Sequence, residues 1–282
     1  MIKVVAPGLY TTLQDLGRFG YRNMGVPLSG AMDQHAAKLA NQLVQNHENT
    51  TVLEFTLMGP TLYFEKNATI AITGGTFSSK VNNTEVPLNN ALEITAGSTL
   101  TFNKPIHGLR GYLAIKGGFK SENVLGSMSY YTGITHKARL EKGDTLCFTT
   151  EKNPGEIKVS EKMSPISFSE DKIEVFKGPE FEALSEAVKM QLLQNEYTVS
   201  SESNRMAMLL NGIGELSANE IITAPVQPGT VQLTPSGKLI ILMRDSQTTG
   251  GYARVLQLTE NAINILAQKR PQESIKFELL IE

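Results

Sequence analysis

Short apolar runs broken by turn residues limit this chain more than any other feature. Lys3–Val5, Val52–Leu57, Thr61–Phe64, Thr69–Ile72, Ala91–Ile94, Thr99–Phe102 and Gly111–Ile115 read as strands in the first half. Ile173–Phe176, Ile221–Ala224, Thr230–Leu233, Leu239–Met243 and Ser274–Glu278 do so in the second. Most stop at turn signals such as Asn82-Asn83 or Ala96-Gly97. Asn and Gly accept the left-handed backbone that tight turns need. Strands this short, with turns this frequent, pack as β-barrels or sandwiches rather than as a doubly wound sheet.

Three segments have helical periodicity instead. Met32–Gln45 lines up Ala36, Leu39, Ala40, Leu43 and Val44, with Asp33 near its start, where a carboxylate suits the helix dipole. Pro179–Leu193 aligns Phe181, Leu184, Val188 and Leu192, and Glu260–Gln268 carries Ile263, Leu266 and Ala267. These predict plugs or lids on barrels. The polar stretch Thr149–Ser169, with Pro154 and Pro165, is the best linker. On either side the halves echo each other. Leu53–Thr56, Gly59–Leu62 and Thr73-Gly74-Gly75 find counterparts in Ile221–Ala224, Pro228–Val231 and Thr249-Gly250-Gly251. A chain of 282 residues is long for one core. The expected organisation is two related β-domains, 1–160 and 170–282, so the fold class is mainly β with a few short helices.

Composition removes several functions. With 26 basic against 28 acidic residues the net charge is −2, which gives no general pull toward nucleic acid or anionic lipid. The densest charged stretch is the mixed run Glu151–Lys162. A single cysteine, Cys147, excludes an internal disulfide and a cysteine-based zinc site. Its apolar surroundings, Thr145-Leu146-Cys147-Phe148, predict a buried small hydrophobe. The opening MIKVVAPGLY lacks the apolar core of a signal peptide, and no run is long enough to span a membrane, so the expected location is cytoplasmic.

Familiar catalytic motifs fail residue by residue. Ser236-Gly237-Lys238 is followed by leucine, and Gln232 stands where a P-loop needs its first glycine. Gly212-x-Gly214 leads to Ser217 and does not follow a strand, so it is not a dinucleotide fingerprint. His35, His47, His107 and His136 are scattered, without metal-ligand spacing; no metal set is expected on this chain.

What remains are polar loops dense in glycine. In the first, Gly17, Gly20, Gly25 and Gly30 are interleaved with Arg18, Arg22, Asn23, Ser29 and Asp33. Glycines here serve either strained turns or close approach of a ligand to backbone N–H groups. Ser29-Gly30 ahead of a helix suits an anion, while Asp15 and Arg18 also have the spacing of a local salt bridge. The second loop runs through Arg110, Gly117-Gly118 and Ser127, the third through Asn204-Arg205, and the fourth through Arg244–Tyr252. Donors and acceptors at the end of the apolar strand Leu239–Met243 suit a polar-ligand pocket, with the opening loop as another wall. Candidate catalytic residues are Arg18, Asp33, Arg205, Asp245 and Gln247. Candidates for binding a polar ligand are Arg18, Ser29, Gly30, Arg110, Gly117, Gly118, Ser127, Asn204, Arg205, Gln247, Thr248, Gly250, Gly251 and Tyr252. Arg18 and Gln247 are expected to matter for activity and not for folding.

Taken together, PGLYTTLQDLGRFGYRNMGVPLSGAMD, LEFTLMGPTL, LRGYLAIKGG, LGSMS, SNRM and RDSQTTGGYARV resemble the allophanate hydrolase subunit 2 family. It is also called the KipA or biotin-dependent carboxyltransferase family. The resemblance runs from Ile2 to about Phe277. It implies two cyclophilin-like β-barrel domains, with a KipI-like protein and a LamB/YcsF-like protein as partner subunits. It also implies a place in an ATP-dependent 5-oxoprolinase that opens 5-oxo-L-proline to L-glutamate, with Mg2+ accompanying the nucleotide. The chain alone is expected to be inactive. Two alternatives within the resemblance are half of a urea-type carboxyltransferase using carboxybiotin, and a regulatory binder of a KipI-like kinase inhibitor. There is no Met-Lys dipeptide to carry biotin. The family reads Ser-Asp-Arg-Met-Gly where this chain has Ser203-Asn204-Arg205-Met206-Ala207, which removes a carboxylate beside Arg205. Tyr130–Lys137 is also poorer in glycine than the family pattern.

Overall fold

The computed structural model describes residues 1–149, 163–165, 171–212 and 218–280. The expected linker Thr149–Ser169, with its charged run Glu151–Lys162, falls almost entirely outside the described residues, as do Gly214 and Ser217. The chain divides into two compact units, Met1–Arg18 with Ser29–Ile166, and Phe19–Leu28 with Ser167–Glu282.

The first unit contains β1 (Ile2–Ala6), β2 (Tyr10–Gln14), helix α1 (Gln34–Leu43), β3 (Val52–Thr56), β4 (Thr61–Phe64) and β5 (Ala68–Gly74). It continues with β6 (Phe77–Val81), β7 (Thr84–Val86), β8 (Ala91–Ile94), β9 (Thr99–Pro105), β10 (Arg110–Ile115), β11 (Phe119–Lys120) and β12 (Thr145–Phe148). They form a seven-stranded sheet, β11-β12-β1-β4-β9-β6-β7, and a five-stranded sheet, β2-β3-β10-β5-β8. Ile2, Leu62, Phe64 and Leu100 of the first sheet and Leu13, Leu53, Phe55, Ile72 and Leu113 of the second share one core. The rings of Phe77 and Phe102 close on Phe55 at 4.9 and 4.5 Å. The other face of the five-stranded sheet presents Val52, Ala71, Tyr112 and Ala114 to Ala36, Ala37, Ala40 and Val44 of α1. Covered on both faces, β10 is buried at every position, which is why it reads as a continuous apolar run rather than an alternating one.

The second unit contains β13 (Lys172–Lys177), α2 (Glu186–Gln194), β14 (Tyr197–Val199), β15 (Ala207–Asn211), β16 (Ala224–Pro225) and β17 (Thr230–Leu233). Then come β18 (Leu239–Leu242), β19 (Thr249–Gly250), β20 (Ala253–Leu258), α3 (Glu260–Gln268) and β21 (Ser274–Leu279). Seven strands close into a barrel, β13-β20-β17-β18-β15-β14-β21, with β13 and β21 parallel. Closure leaves no free edge for another strand to extend. Helix α3 is capped by Thr259, whose hydroxyl accepts from Ala262 N–H, and packs on β13 and β20. No helix among the described residues is long and apolar enough to cross a membrane.

The chain is mainly β, as its turn spacing requires, but several local expectations fail. Ile221–Ala224 is not a strand: only Ala224–Pro225 pairs, with Thr249–Gly250. The echo of Leu53–Thr56 therefore lacks its first strand in the second half. Pro179–Leu193 is not one helix. A 3-10 turn at Phe181–Ala183 ends at the extended Leu184, and Ser185 then caps α2 through Val188 N–H. Cys147 is exposed, because β12 alternates and turns Leu146 inward instead. Strand β2 was hidden inside the polar opening loop, because its buried residues include Thr11, Thr12 and Gln14.

An added Cβ at Gly111 would lie 2.3 Å from Cζ of Phe55. Gly111→Ala is expected to push Phe55 off its packing and destabilise the chain by about 1–3 kcal/mol, measured as a lower midpoint in urea unfolding.

Candidate functional site

The first and second glycine loops meet through Asp15. Its carboxylate accepts from Gly17 N–H (2.8 Å), Ser127 Oγ (2.7 Å), Ser129 Oγ (2.6 Å) and Met128 N–H (2.7 Å). Arg18 lies beside it with no exposed surface, donating from Nε to Val124 O (2.9 Å) and from Nη2 to Ser129 O (2.8 Å). Arg18 is thus a buried clamp between the two loops, so its replacement is expected to loosen the fold as well. Gly30, at φ 90°, has room for no side chain: its Cβ would sit 2.8 Å from Gly17 N. Ser29 and Gly30 are both buried. Gly117 and Gly118 form the left-handed turn between β10 and β11, with Gly117 N–H on Asn46 Oδ1 at 2.9 Å.

Asp33 caps α1 by accepting from Ala36 N–H at 2.9 Å. That cap draws one of the helix's free amides onto its own carboxylate. A buried polar row crosses the sheet below it, pairing Thr12 with Glu54, Glu54 with Tyr112 and Tyr112 with Thr73. Met32 N–H donates to Glu54 Oε2 and Asp33 N–H to the Tyr112 hydroxyl, each at 2.8 Å. Burial, followed by the nearby Glu54 and Asp33 carboxylates, pushes the Tyr112 hydroxyl well above its ordinary pKa. Arg110 is buried at the end of β10 and lies in the electrostatic reach of Tyr112.

In the second unit the third and fourth loops meet. Arg205 grips Asp245 bidentately, at 2.7 Å (Nε to Oδ2) and 3.0 Å (Nη2 to Oδ1). Asn204 does not orient Arg205; its Oδ1 accepts from Met206 N–H and Ala207 N–H, closing a tight turn. The carboxylate absent at position 204 is thus supplied to Arg205 by Asp245. Arg244 is buried and tied to Glu260 at the start of α3. Gln247 and Tyr252 are exposed, Thr248 and Gly251 half-buried, and Gly250 pairs with Ala224.

An open cleft of about 280 Å3 lies on the same unit. Arg22, Pro179, Pro225, Val226, Gln227, Thr230, Arg254, Leu256 and Gln257 line it. Arg254 is held by Glu180 (Nε–Oε2 2.9 Å, Nη2–Oε1 2.7 Å) and donates to Pro225 O at 3.1 Å. That contact raises the Arg254 pKa and holds the Glu180 carboxyl below its usual range. Gln257 has both ends of its amide engaged, with Pro228 O and the Thr230 hydroxyl. Arg22, on the 3-10 turn Arg22–Met24, bonds Val226 O, and burial pulls its pKa down. Sequence reasoning missed this cleft. Its signals were Arg22 inside the first glycine loop and Arg254 at the end of RDSQTTGGYARV.

Residues 24–279 match the family model for the carboxyltransferase domain, subdomains A and B. The chain belongs to this carboxyltransferase family. It is 34% identical to the 5-oxoprolinase C subunit of Escherichia coli over 98% of this chain and 90% of that protein. The K. lactis urea amidolyase superposes with a TM-score of 0.90 at 29% identity, over 99% of this chain and 19% of that one. TTHA0988 gives 0.87 at 29% identity over 98% of this chain; the chain spans 55% of its length.

Within this carboxyltransferase fold most candidate arginines are already engaged as ties between loops. Among the described residues no cluster of three His, Cys, Asp or Glu side chains is arranged for a metal ion. Asp15→Ala leaves buried hydroxyls and amides without an acceptor. At roughly 1–3 kcal/mol per group left unsatisfied, it is expected to cost about 3 kcal/mol or more in denaturant unfolding. The Glu180 carboxyl is depressed in the folded state, so its contribution is present above the ordinary carboxylate pKa and lost as pH falls through the folded value. Glu180→Gln should therefore lower Tm at pH 7, and the gap to wild type should close on acidification.

Proposed function

We propose that this chain is one component of an ATP-dependent 5-oxoprolinase that converts 5-oxo-L-proline to L-glutamate in the cytoplasm. The observation that carries the reading is the 34% identity to the 5-oxoprolinase C subunit over 98% of this chain, against 30% to the urea amidolyase of Saccharomyces cerevisiae over the same share. Its partners in this reading are a KipI-like protein and a LamB/YcsF-like protein, and the chain is inactive without them.

The chemistry sets the requirement for ATP. Amide resonance stabilises a lactam, so water attacks its carbonyl carbon slowly. Transfer of the γ-phosphoryl group to the lactam oxygen, with ADP leaving, turns that oxygen into a leaving group. Water then adds to the carbon, and the C–N bond opens as the nitrogen takes up a proton, which leaves an acyl phosphate; a second water cleaves that acyl phosphate to glutamate and phosphate. Donors that are already in place stabilise the charge that develops on such a path. Mg2+ would accompany the nucleotide, and no step is assigned to it on this chain. On this reading the outer end of the fourth loop, the exposed Gln247 and Tyr252 with the half-buried Thr248, meets substrate or partner. The buried Asp33, Arg205 and Asp245 hold the loops in position. The similarity to urea amidolyase favours one second reading, transfer of a carboxyl group from carboxybiotin carried on another protein.

Co-expression with the KipI-like and LamB/YcsF-like partners, following glutamate formation from 5-oxoproline with and without ATP, is the test. ATP-dependent glutamate is the expected result, and its absence sinks the reading. Gln247 forms no side-chain bond within the described residues, so Gln247→Ala is expected to abolish turnover in that complex while Tm stays unchanged.

A further inference from the structure

The cleft on the second unit has an unbalanced charge. Arg254 and Glu180 cancel each other through two parallel hydrogen bonds. Thr230 and Gln257 satisfy one another, and Gln257 spends its remaining donors on backbone carbonyls. Among the described residues of the cleft, Arg22 alone lacks a counter-charge. Its guanidinium bonds the carbonyl of Val226, and no carboxylate lies within ion-pair distance of it among the described residues. A half-buried guanidinium carries five donors in a fixed fork, and a carboxylate matches that fork. Leaving such a cation desolvated without a partner is costly.

The rest of the lining limits what sits opposite Arg22. Pro179 and Pro225 offer exposed apolar surface, Val226 and Leu256 are buried at its base, and the exposed Gln227 adds an amide. The space of about 280 Å3 admits a small molecule. That suits a compact acid. With one uncompensated positive charge, the cleft matches a single negative charge on a short apolar body.

We propose that this cleft is a binding site for a small monocarboxylic acid, with the Arg22 guanidinium as the anchor of its carboxylate. Val226 O holds the guanidinium in place, and the exposed Pro179 and Pro225 flank the body of the acid. The site does not require the 5-oxoprolinase reading. Naming 5-oxoproline as its occupant rests on that reading, since that molecule is a cyclic monocarboxylate.

The test is a 1H–15N NMR titration of the full chain, following the amides of Val226, Gln227 and Leu256 and the Nε–H of Arg22. The probes are 5-oxoproline, cyclopentanecarboxylate, which lacks the lactam, and 2-pyrrolidinone, which lacks the carboxylate. Binding of either acid at these signals, without binding of 2-pyrrolidinone, is the expected result. Arg22→Gln should weaken it by roughly tenfold or more, and Arg22→Lys should restore part of it. Both variants are checked for an unchanged amide spectrum elsewhere. If cyclopentanecarboxylate binds and 5-oxoproline does not, the carboxylate site stands and its occupant differs from the proposed substrate. If neither acid shifts these signals, or Arg22→Gln and Arg22→Lys bind as wild type does, the proposal is overturned. Glutamate formation by the assembled complex is read separately, so failure of one idea does not conceal failure of the other.

Discussion

The carboxylate of Asp15 is the fixed point on which the first unit's outer layer depends. A buried carboxylate is costly unless donors surround it, and here Gly17, Ser127, Met128 and Ser129 all aim at it. Those bonds set the path of the chain around Gly17. Gly30 fits against that path without a side chain, and the backbone continues into the Asp33 cap and α1. Arg18 then locks the same two loops through backbone carbonyls. The first half of the opening glycine loop is thus part of a polar core that it shares with Val124, Ser127, Met128 and Ser129.

The second unit uses ion pairs for the same purpose. Arg205 with Asp245, Arg244 with Glu260 and Arg254 with Glu180 each join segments distant in sequence. An arginine already bound to a carboxylate is a poor recruiter of a further anion, because its charge is matched and its fork is occupied. This separates the arginines by role more sharply than sequence position does.

The legible parts were those that depend on local pattern. Thr61–Phe64, Ala91–Ile94, Thr230–Leu233 and Glu260–Gln268 have the bounds the sequence suggests, because apolar spacing and turn residues decide them. Strand β2 was not legible: Thr11, Thr12 and Gln14 are polar, and only pairing with β3 shows that they are interior. Asp245 as the partner of Arg205 was equally hidden, since the two are separated by 40 positions. Asn204 drew attention as the altered neighbour, but its short amide is better suited to closing a turn. The cleft was missed because its lining comes from several separate segments, none of which is rich in charge.

The division of the chain bears on how the protein is made. Phe19–Leu28 belongs with residues from Ser167 onward, although it is flanked on both sides by the first unit. Arg22 and Val226, which meet in the cleft, are 204 residues apart in sequence. During synthesis the N-terminal segment emerges early and waits for nearly the entire remaining chain before its contacts exist. Closing so long a loop delays the contact more than it weakens it. The cleft is therefore among the last parts of the molecule to form, and a chain cut between the two units would give neither fragment a complete copy of it.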